Sequence, residues 1–309
     1  MPMKEEAGDG CAITCEKDRK RMSAETRVRV AGIQMSGTPD RARNIEKAVS
    51  LLEMAAERGV SLACLPELFA LPWFPSEMDK AHFDLAEPVD GETVTALRAA
   101  AAKLDIVIVA PFFEREIEGR FFNSAAVIDA GGELLGVYRK VHVPQIPLWE
   151  EKFYFAPGDA GFPVFNTKHL RIGVQICWDN MFPEGSRALA LAGAQFVFAP
   201  TAAASNSQDL WMRMISANAF ANGMYVFRVN RVGAESKQKF YGQSFCVNPF
   251  GDLVDQVSGE GEGVVIVEAN PRDIEFVRRE WPLLRDRRPE CYLELAGLHV
   301  RPIEEPHGS

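Results

Sequence analysis

The chain has 309 residues, 47% of them hydrophobic and 25% charged, which is enough apolar material to bury a sizeable core. Its formal net charge of -9 and pI near 5.2 exclude nucleic acid and anionic membrane surfaces as expected partners, because like charges repel. No apolar run reaches membrane-spanning length and the charged first residues have no signal-like apolar centre, so a cytoplasmic protein is expected.

Residues 1–26 are polar and read as a flexible tail that holds Cys11 and Cys15. With no second cysteine pair and no histidine at zinc-ligand spacing, no metal site is expected there, and no cofactor is expected elsewhere. Cys64, Cys177, Cys246 and Cys291 are scattered among apolar neighbours, which suits reduced thiols better than a disulfide framework. Residues 27–295 contain no linker-like stretch and read as a single domain. It opens with a strand over residues 27–35, followed by a helix capped by Asp40 that places Ile45, Val49, Leu52 and Ala55 on one face. A strand over residues 60–65 ends in Pro66-Glu67, where an apolar surround would raise a carboxyl pKa towards that of a general base. A loop rich in Phe and Pro, a helix over residues 92–104 and a buried strand over 105–110 come next. Residues 121–129 and 133–138 pair across Ala130-Gly131-Gly132 and deliver Lys140 at a strand end. Residues 141–162 form a long loop with Trp149, Glu150 and Glu151, and loops of that length are usually functional.

Residues 169–176 read as a buried strand and Pro183-Glu184-Gly185-Ser186-Arg187 opens a helix, so Cys177 sits where a strand gives way to a helix-bound loop. Free backbone NH groups there favour both a thiolate and a neighbouring oxyanion. Alone, a buried cysteine is ordinarily structural and a lysine at a strand end ordinarily solvated; an acid, an ammonium and a thiol, each at a strand end, form a reactive set. Strands over 193–200 and 224–230 flank a helix over 209–222. Residues 241–247, 253–256 and 263–268 finish as strands, with Pro249-Phe250-Gly251-Asp252 as a hairpin turn. Strands alternating with helices give the α/β class. Residues 280–292 are polar and basic with Trp281 and Tyr292 as anchors, and 296–309 read as a C-terminal tail.

Tyr138-Arg139-Lys140-Val141-His142-Val143-Pro144, Glu151-Lys152-Phe153-Tyr154-Phe155-Ala156-Pro157-Gly158-Asp159 and Ile176-Cys177-Trp178-Asp179 follow Pro66-Glu67 in this order. On these motifs the chain resembles the nitrilase, or carbon-nitrogen hydrolase, superfamily over nearly its whole length, and within it the N-carbamoylputrescine amidase branch. The resemblance implies a catalytic triad of Glu67, Lys140 and Cys177, with Glu151 beside it to orient the substrate and the lysine. It also implies a four-layer αββα sandwich in which two sheets face each other and pairs of subunits extend the layers, hence a homodimer or larger homo-oligomer reached in part through residues 280–292.

In the implied reaction Cys177 adds to a small carbon-nitrogen substrate, Glu67 takes the proton, and Lys140 with the Trp178 backbone NH holds the oxyanion. A thioester-type or S-carbamoyl intermediate is then hydrolysed by water that Glu67 deprotonates. An N-carbamoyl amine resembling N-carbamoylputrescine, cut to amine, ammonia and carbon dioxide, is the expected substrate. An aliphatic amidase, a nitrilase and a catalytically dead binding relative are the alternatives. Trp149, Asp179, Thr201 and Ala202 are candidates for the substrate pocket. Superfamily members acting on N-carbamoyl-D-amino acids place arginines just after the nucleophile; Trp178-Asp179-Asn180-Met181 stands here, which favours a neutral or cationic tail. Two departures lie near the substrate end: Pro144-Gln145-Ile146-Pro147-Leu148-Trp149 lacks a Gly-rich segment, and Thr201-Ala202-Ala203-Ala204-Ser205-Asn206 lacks Ile-Gly-Ser. No histidine stands in a Cys-His motif, so a papain-like dyad is not expected.

Overall fold

Successive side chains of the first strand, β1 (Val28–Gln34), serve different layers, as the two-residue repeat of a strand requires. Ala31 and Ile33 pack with the helices α1 (Arg41–Ala56) and α2 (Glu92–Leu104), whereas Val30 joins a second cluster on the opposite face. The same division runs through β2 (Leu62–Cys64), β3 (Val107–Ile117) and β4 (Arg120–Ile128). Ala63, Ile108 and Ala126 face the helices, while Leu62, Val107 and Ala125 face the other way. The structure, a computed structural model, describes residues 27–204, 207–235, 237–292 and 295. The expected tails at 1–26, with Cys11 and Cys15, and at 296–309 lie outside the described residues, as do Ser205 and Asn206.

Further along come β5 (Leu134–Arg139), the short helix α3 (Glu151–Tyr154), β6 (Phe165–Asn166), β7 (Arg171–Val174), α4 (Pro183–Leu191), β8 (Phe196–Thr201), α5 (Gln208–Asn222) and β9 (Tyr225–Asn230). The hairpin β10 (Val232–Glu235) and β11 (Gln238–Tyr241), then β12 (Phe245–Val247), β13 (Leu253–Val254), β14 (Gly263–Ala269) and α6 (Pro271–Glu280) complete the order. One six-stranded sheet runs β14-β1-β2-β3-β4-β5 and the other β13-β12-β9-β8-β7-β6. The second cluster lies between them, joining Val30 and Val107 to Ile172, Phe196 and Phe227, and extends to Leu189 on α4 and Ile215 on α5. Helices, sheet, sheet and helices thus form the expected αββα layers. The sheets meet closely at Gly32, where a Cβ would lie 2.9 Å from the Phe227 ring and from Val229. Among the described residues no helix is long and apolar enough to cross a membrane.

Several elements depart from the sequence reading. The strand expected to end at Ala110 runs on to Ile117 and pairs antiparallel with β4. The single strand expected over 241–247 is broken, because Gly242 (φ 65) and Gln243 (φ 53) take left-handed backbone that no strand accommodates. The loop over 141–162 contains α3, and α6 follows an Asn270 cap whose side chain accepts from the Arg272 amide, with Pro271 at the first helical position.

Candidate active site

Strands β1, β2 and β3 are parallel in the first sheet, as are β7, β8 and β9 in the second. Glu67 follows the C-terminal end of β2 and Cys177 that of β7, so the facing sheets bring the two loops together. The Glu67 loop is pinned from behind by Arg231. This wholly buried guanidinium donates to the carbonyls of Glu67 (3.0 Å), Leu68 (2.9 Å) and Leu71 (2.8 Å) and is balanced by Glu235 at 2.6 Å. Leu68 holds left-handed backbone (φ 51) within that loop.

Lys140 leaves β5 with its NH donating to the Asn123 carbonyl (2.9 Å) and its own carbonyl accepting from Gly158 (2.8 Å). A Cβ at Gly158 would fall 2.1 Å from the Arg139 carbonyl oxygen, so glycine is required for that approach. Inside, Lys140 Nζ donates to Glu67 Oε1 (2.8 Å) and Glu151 Oε2 (2.7 Å). Asn123 Nδ2 donates to Glu67 Oε1 (2.8 Å) and, at 3.4 Å, to Glu151 Oε2. All of these side chains are buried, and Glu67 Oε2 and Glu151 Oε1 have no hydrogen-bond partner.

Cys177 begins a 3-10 turn, Cys177–Met181, with φ 47, a conformation that costs a non-glycine residue energy and needs support. The support is Asp179: Oδ2 accepts from the Ile176 NH (3.0 Å) and the Tyr138 hydroxyl (2.6 Å), and Oδ1 accepts from the His142 NH (2.8 Å) and lies 2.9 Å from His142 Nδ1. Asn180 Nδ2 adds bonds to the Gln175 and Cys177 carbonyls at 2.9 and 3.0 Å. Burial, then the Glu67 carboxylate, pushes the Cys177 thiol well above its ordinary pKa, against the pull of Lys140 and the Ala202 amide. Burial, with Glu67 adding to it, raises Glu151 to about 7. Burial also opposes the Lys140 charge, but Glu151 and Glu67 outweigh it and hold the ammonium protonated above its usual range.

A cavity of about 230 Å³ opens over Cys177 and Trp178, walled by Ile146, Trp149, Met181, Ala202, Leu210 and Trp211. Of the four pocket candidates, Trp149 and Ala202 line it, joined by a bond from Trp149 Nε1 to the Ala202 carbonyl (3.0 Å). Asp179 and Thr201 do not. The Asp179 carboxylate is consumed by the donors that brace the Cys177 turn, and the Thr201 hydroxyl donates to the Ala199 carbonyl at 2.8 Å. No carboxylate lines the cavity among the described residues. Asn123, Arg231 and Glu235 escaped the sequence reading; an asparagine within the apolar run Phe121 to Ile128 was the available signal, since a buried amide demands partners. Among the described residues no cluster of three or more His, Cys, Asp or Glu is arranged to hold a metal.

The carbon-nitrogen hydrolase profile matches residues 29–279, a span that includes Glu67, Lys140, Glu151 and Cys177. The chain belongs to the carbon-nitrogen hydrolase family. This carbon-nitrogen hydrolase is 39% identical to an N-carbamoylputrescine amidase of Solanum tuberosum, across 88% of the chain and 95% of that relative. It is 37% identical to a citrullinase of Francisella tularensis subsp. tularensis, across 87% of the chain and 98% of that relative. The crystal structure of a carbon-nitrogen hydrolase from Helicobacter pylori superposes with a TM-score of 0.85 at 33% identity, covering 89% of this chain and all of that one (100%). A mutant of the amidase from Nesterenkonia sp. AN1 matches with a TM-score of 0.75 at 27% identity over 88% of this chain and 98% of its own. It carries the acetamide moiety of fluoroacetamide added covalently at its active-site cysteine. The protein is therefore a hydrolase of carbon-nitrogen bonds.

Proposed function

We propose that this hydrolase works through Glu67, Lys140 and Cys177, with Cys177 as nucleophile, and that its substrate is an N-carbamoyl amine. The observation that carries the reading is the convergence of Lys140 Nζ on Glu67 and Glu151 in the electrostatic surround of Cys177, whose residue floors the cavity. A thiol held neutral by burial needs a base at the moment of attack. Glu67 Oε2, buried and without a partner, is the free acceptor for that proton. As the S–C bond forms, charge on the carbonyl oxygen is met by Lys140 and the Trp178 backbone NH. Glu67 then returns the proton to the leaving nitrogen, the C–N bond breaks and ammonia departs, leaving a thiocarbamate on Cys177. Water, deprotonated by Glu67, adds to that carbon; the S–C bond breaks and the sulfur takes back the proton. The carbamic acid released decomposes to amine and carbon dioxide. Glu151 holds Lys140 in place.

N-carbamoylputrescine and citrulline, named in the relatives, share the terminal H₂N–CO–NH group on which this scheme operates. The apolar wall of Ile146, Met181, Leu210 and Trp211 favours a second reading, a small aliphatic amide, which would follow the same steps with an acyl thioester. Ammonia release from carbamoyl amines, ureido acids, primary amides and nitriles separates these. The Cys177→Ala protein should release none from any of them in a single turnover, and retained hydrolysis would sink the scheme.

A further inference from the structure

Arg228 on β9 is wholly buried. Its terminal nitrogens donate to Gln208 Oε1 and the Tyr241 hydroxyl, both at 2.8 Å and both neutral, and its Nε has no hydrogen-bond partner. The guanidinium lies over the rings of Trp211 (4.8 Å), Tyr241 (5.2 Å) and Phe245 (5.7 Å). Among the described residues no carboxylate pairs with it, whereas Arg231, equally buried, is matched by Glu235. Burial lowers its pKa, yet a guanidinium starts so high that it stays charged. A lone cation in such an interior is costly unless negative charge lies near.

That negative charge is in the site. Lys140 is the single cation between Glu67 and Glu151, and when Cys177 gives its proton to Glu67 the negative charge moves from that carboxylate to the sulfur. Strands β7, β8 and β9 are adjacent and in register, Val174 beside Phe198 and Phe198 beside Phe227. Cys177 lies just past β7 and Arg228 near the end of β9, two strand spacings or about 10 Å across at the backbone. Trp211, on which the guanidinium stacks, lines the cavity together with Cys177.

We propose that Arg228 is the second cation of the site, a positioning residue whose buried charge offsets the negative charge that forms on Cys177 Sγ and then on the tetrahedral oxygen. The proposal rests on Cys177 being the nucleophile. Glu67 and Glu151 face Cys177 and resist its ionisation, Lys140 faces it and assists, and the titratable groups facing Arg228 are Tyr241 and Cys177 itself. Arg228 would tip this balance without touching the substrate.

The test is alkylation of the full-length protein by iodoacetamide over about pH 6 to 10. Modification at Cys177 is followed by peptide mass, so that the exposed Cys291 does not interfere. In Arg228→Met and Arg228→Gln the rate at neutral pH should fall about tenfold and the apparent pKa rise by about one, the effect of a unit charge at roughly 10 Å in a protein interior. Tyr241→Phe removes a hydrogen bond but keeps the charge, so its profile should match wild type within about twofold. Methionine suits the aromatic cage and replaces a lone buried charge, so Arg228→Met should melt no lower than wild type. If one neutral variant is insoluble, the other decides. A neutral variant with the wild-type apparent pKa, or a Tyr241→Phe shift as large as theirs, overturns the proposal. If Cys177→Ala still releases ammonia, the nucleophile reading falls and this one with it. If Cys177→Ala is inactive and the Arg228 profiles are unmoved, this one alone falls.

Discussion

Three charges buried within hydrogen-bond reach cannot all keep the ionisation they would have in water. Lys140 keeps its proton because two carboxylates surround it, and the surplus negative charge is relieved at Glu151, raised to about 7 by burial and Glu67. The folded protein then holds a proton on Glu151 between about pH 4.5 and 7 that the unfolded chain has released. More protons bound in the folded state means stability falls as pH rises through that window. The carboxylates with depressed pKa values work the other way: Glu262, through Lys47 and Ser36, and Glu268, through Arg29 and Arg27, contribute stability above their ordinary range that is lost on acidification. Only a difference between variants therefore isolates Glu151. Glu151→Gln should flatten the loss of thermal stability between about pH 5 and pH 8 relative to wild type, measured by scanning fluorimetry, and parallel curves would contradict this account. The same change should lower kcat by about 10², the usual cost of losing one positioned active-site hydrogen-bonding group.

At the scale of elements, the site depends on where strands stop. That Glu67, Lys140 and Cys177 each follow a strand was legible in the sequence, because each closes an apolar run whose periodicity marks a strand and a Pro or a Pro-bounded helix fixes where that run ends. Asn123 and Arg231 were not, for their partners come from distant segments: Arg231 reaches a carbonyl 164 residues away in the chain. The bracing role of the Asp179 carboxylate was hidden for a related reason. Its neighbour in sequence is the Cys177 turn, but its donors Tyr138 and His142 arrive from β5 and the loop beyond it, and only the fold shows that they occupy the carboxylate. The junction of Gly158 with β5 gives a direct test of strand-end control. Gly158→Ala sets a methyl against the Arg139 carbonyl and must displace the end of the strand that carries Lys140. It should cost roughly 1–3 kcal/mol in denaturant unfolding and lower activity with it. Gly131→Ala, in the β4–β5 turn with open space around its Cβ, should leave both within error. Equal effects of the two substitutions would show that the contact at Gly158 does not hold the site.

At the scale of the whole molecule, the layers leave an apolar groove outside the core. Leu191 on α4 is 50% exposed and Leu295 is 79% exposed, and with Tyr292, Pro183, Ala188 and Ala221 they line a groove on the outer helical face. A patch of this kind is a contact surface in waiting, and the acidic net charge of -9 works against indiscriminate self-association elsewhere. The prediction is that two copies meet across α4 and α5, an addition to the contact through residues 280–292 that the family resemblance implies, and that this pairing matters to catalysis. Pro183 begins α4 directly after the turn Cys177–Met181, whose Asn180 carbonyl accepts from Asn218 Nδ2 on α5 at 2.9 Å, so packing on this face braces the backbone of Cys177. Leu191→Glu places a charge in the groove without touching the cavity. Sedimentation equilibrium should show the wild type at least dimeric and the variant shifted towards monomer. Activity per chain should fall about tenfold and recover as protein concentration is raised, because mass action restores the pairing. A wild type that sediments as a monomer would refute the pairing. A monomeric variant with undiminished activity would show that the Cys177 turn is braced from within the single chain.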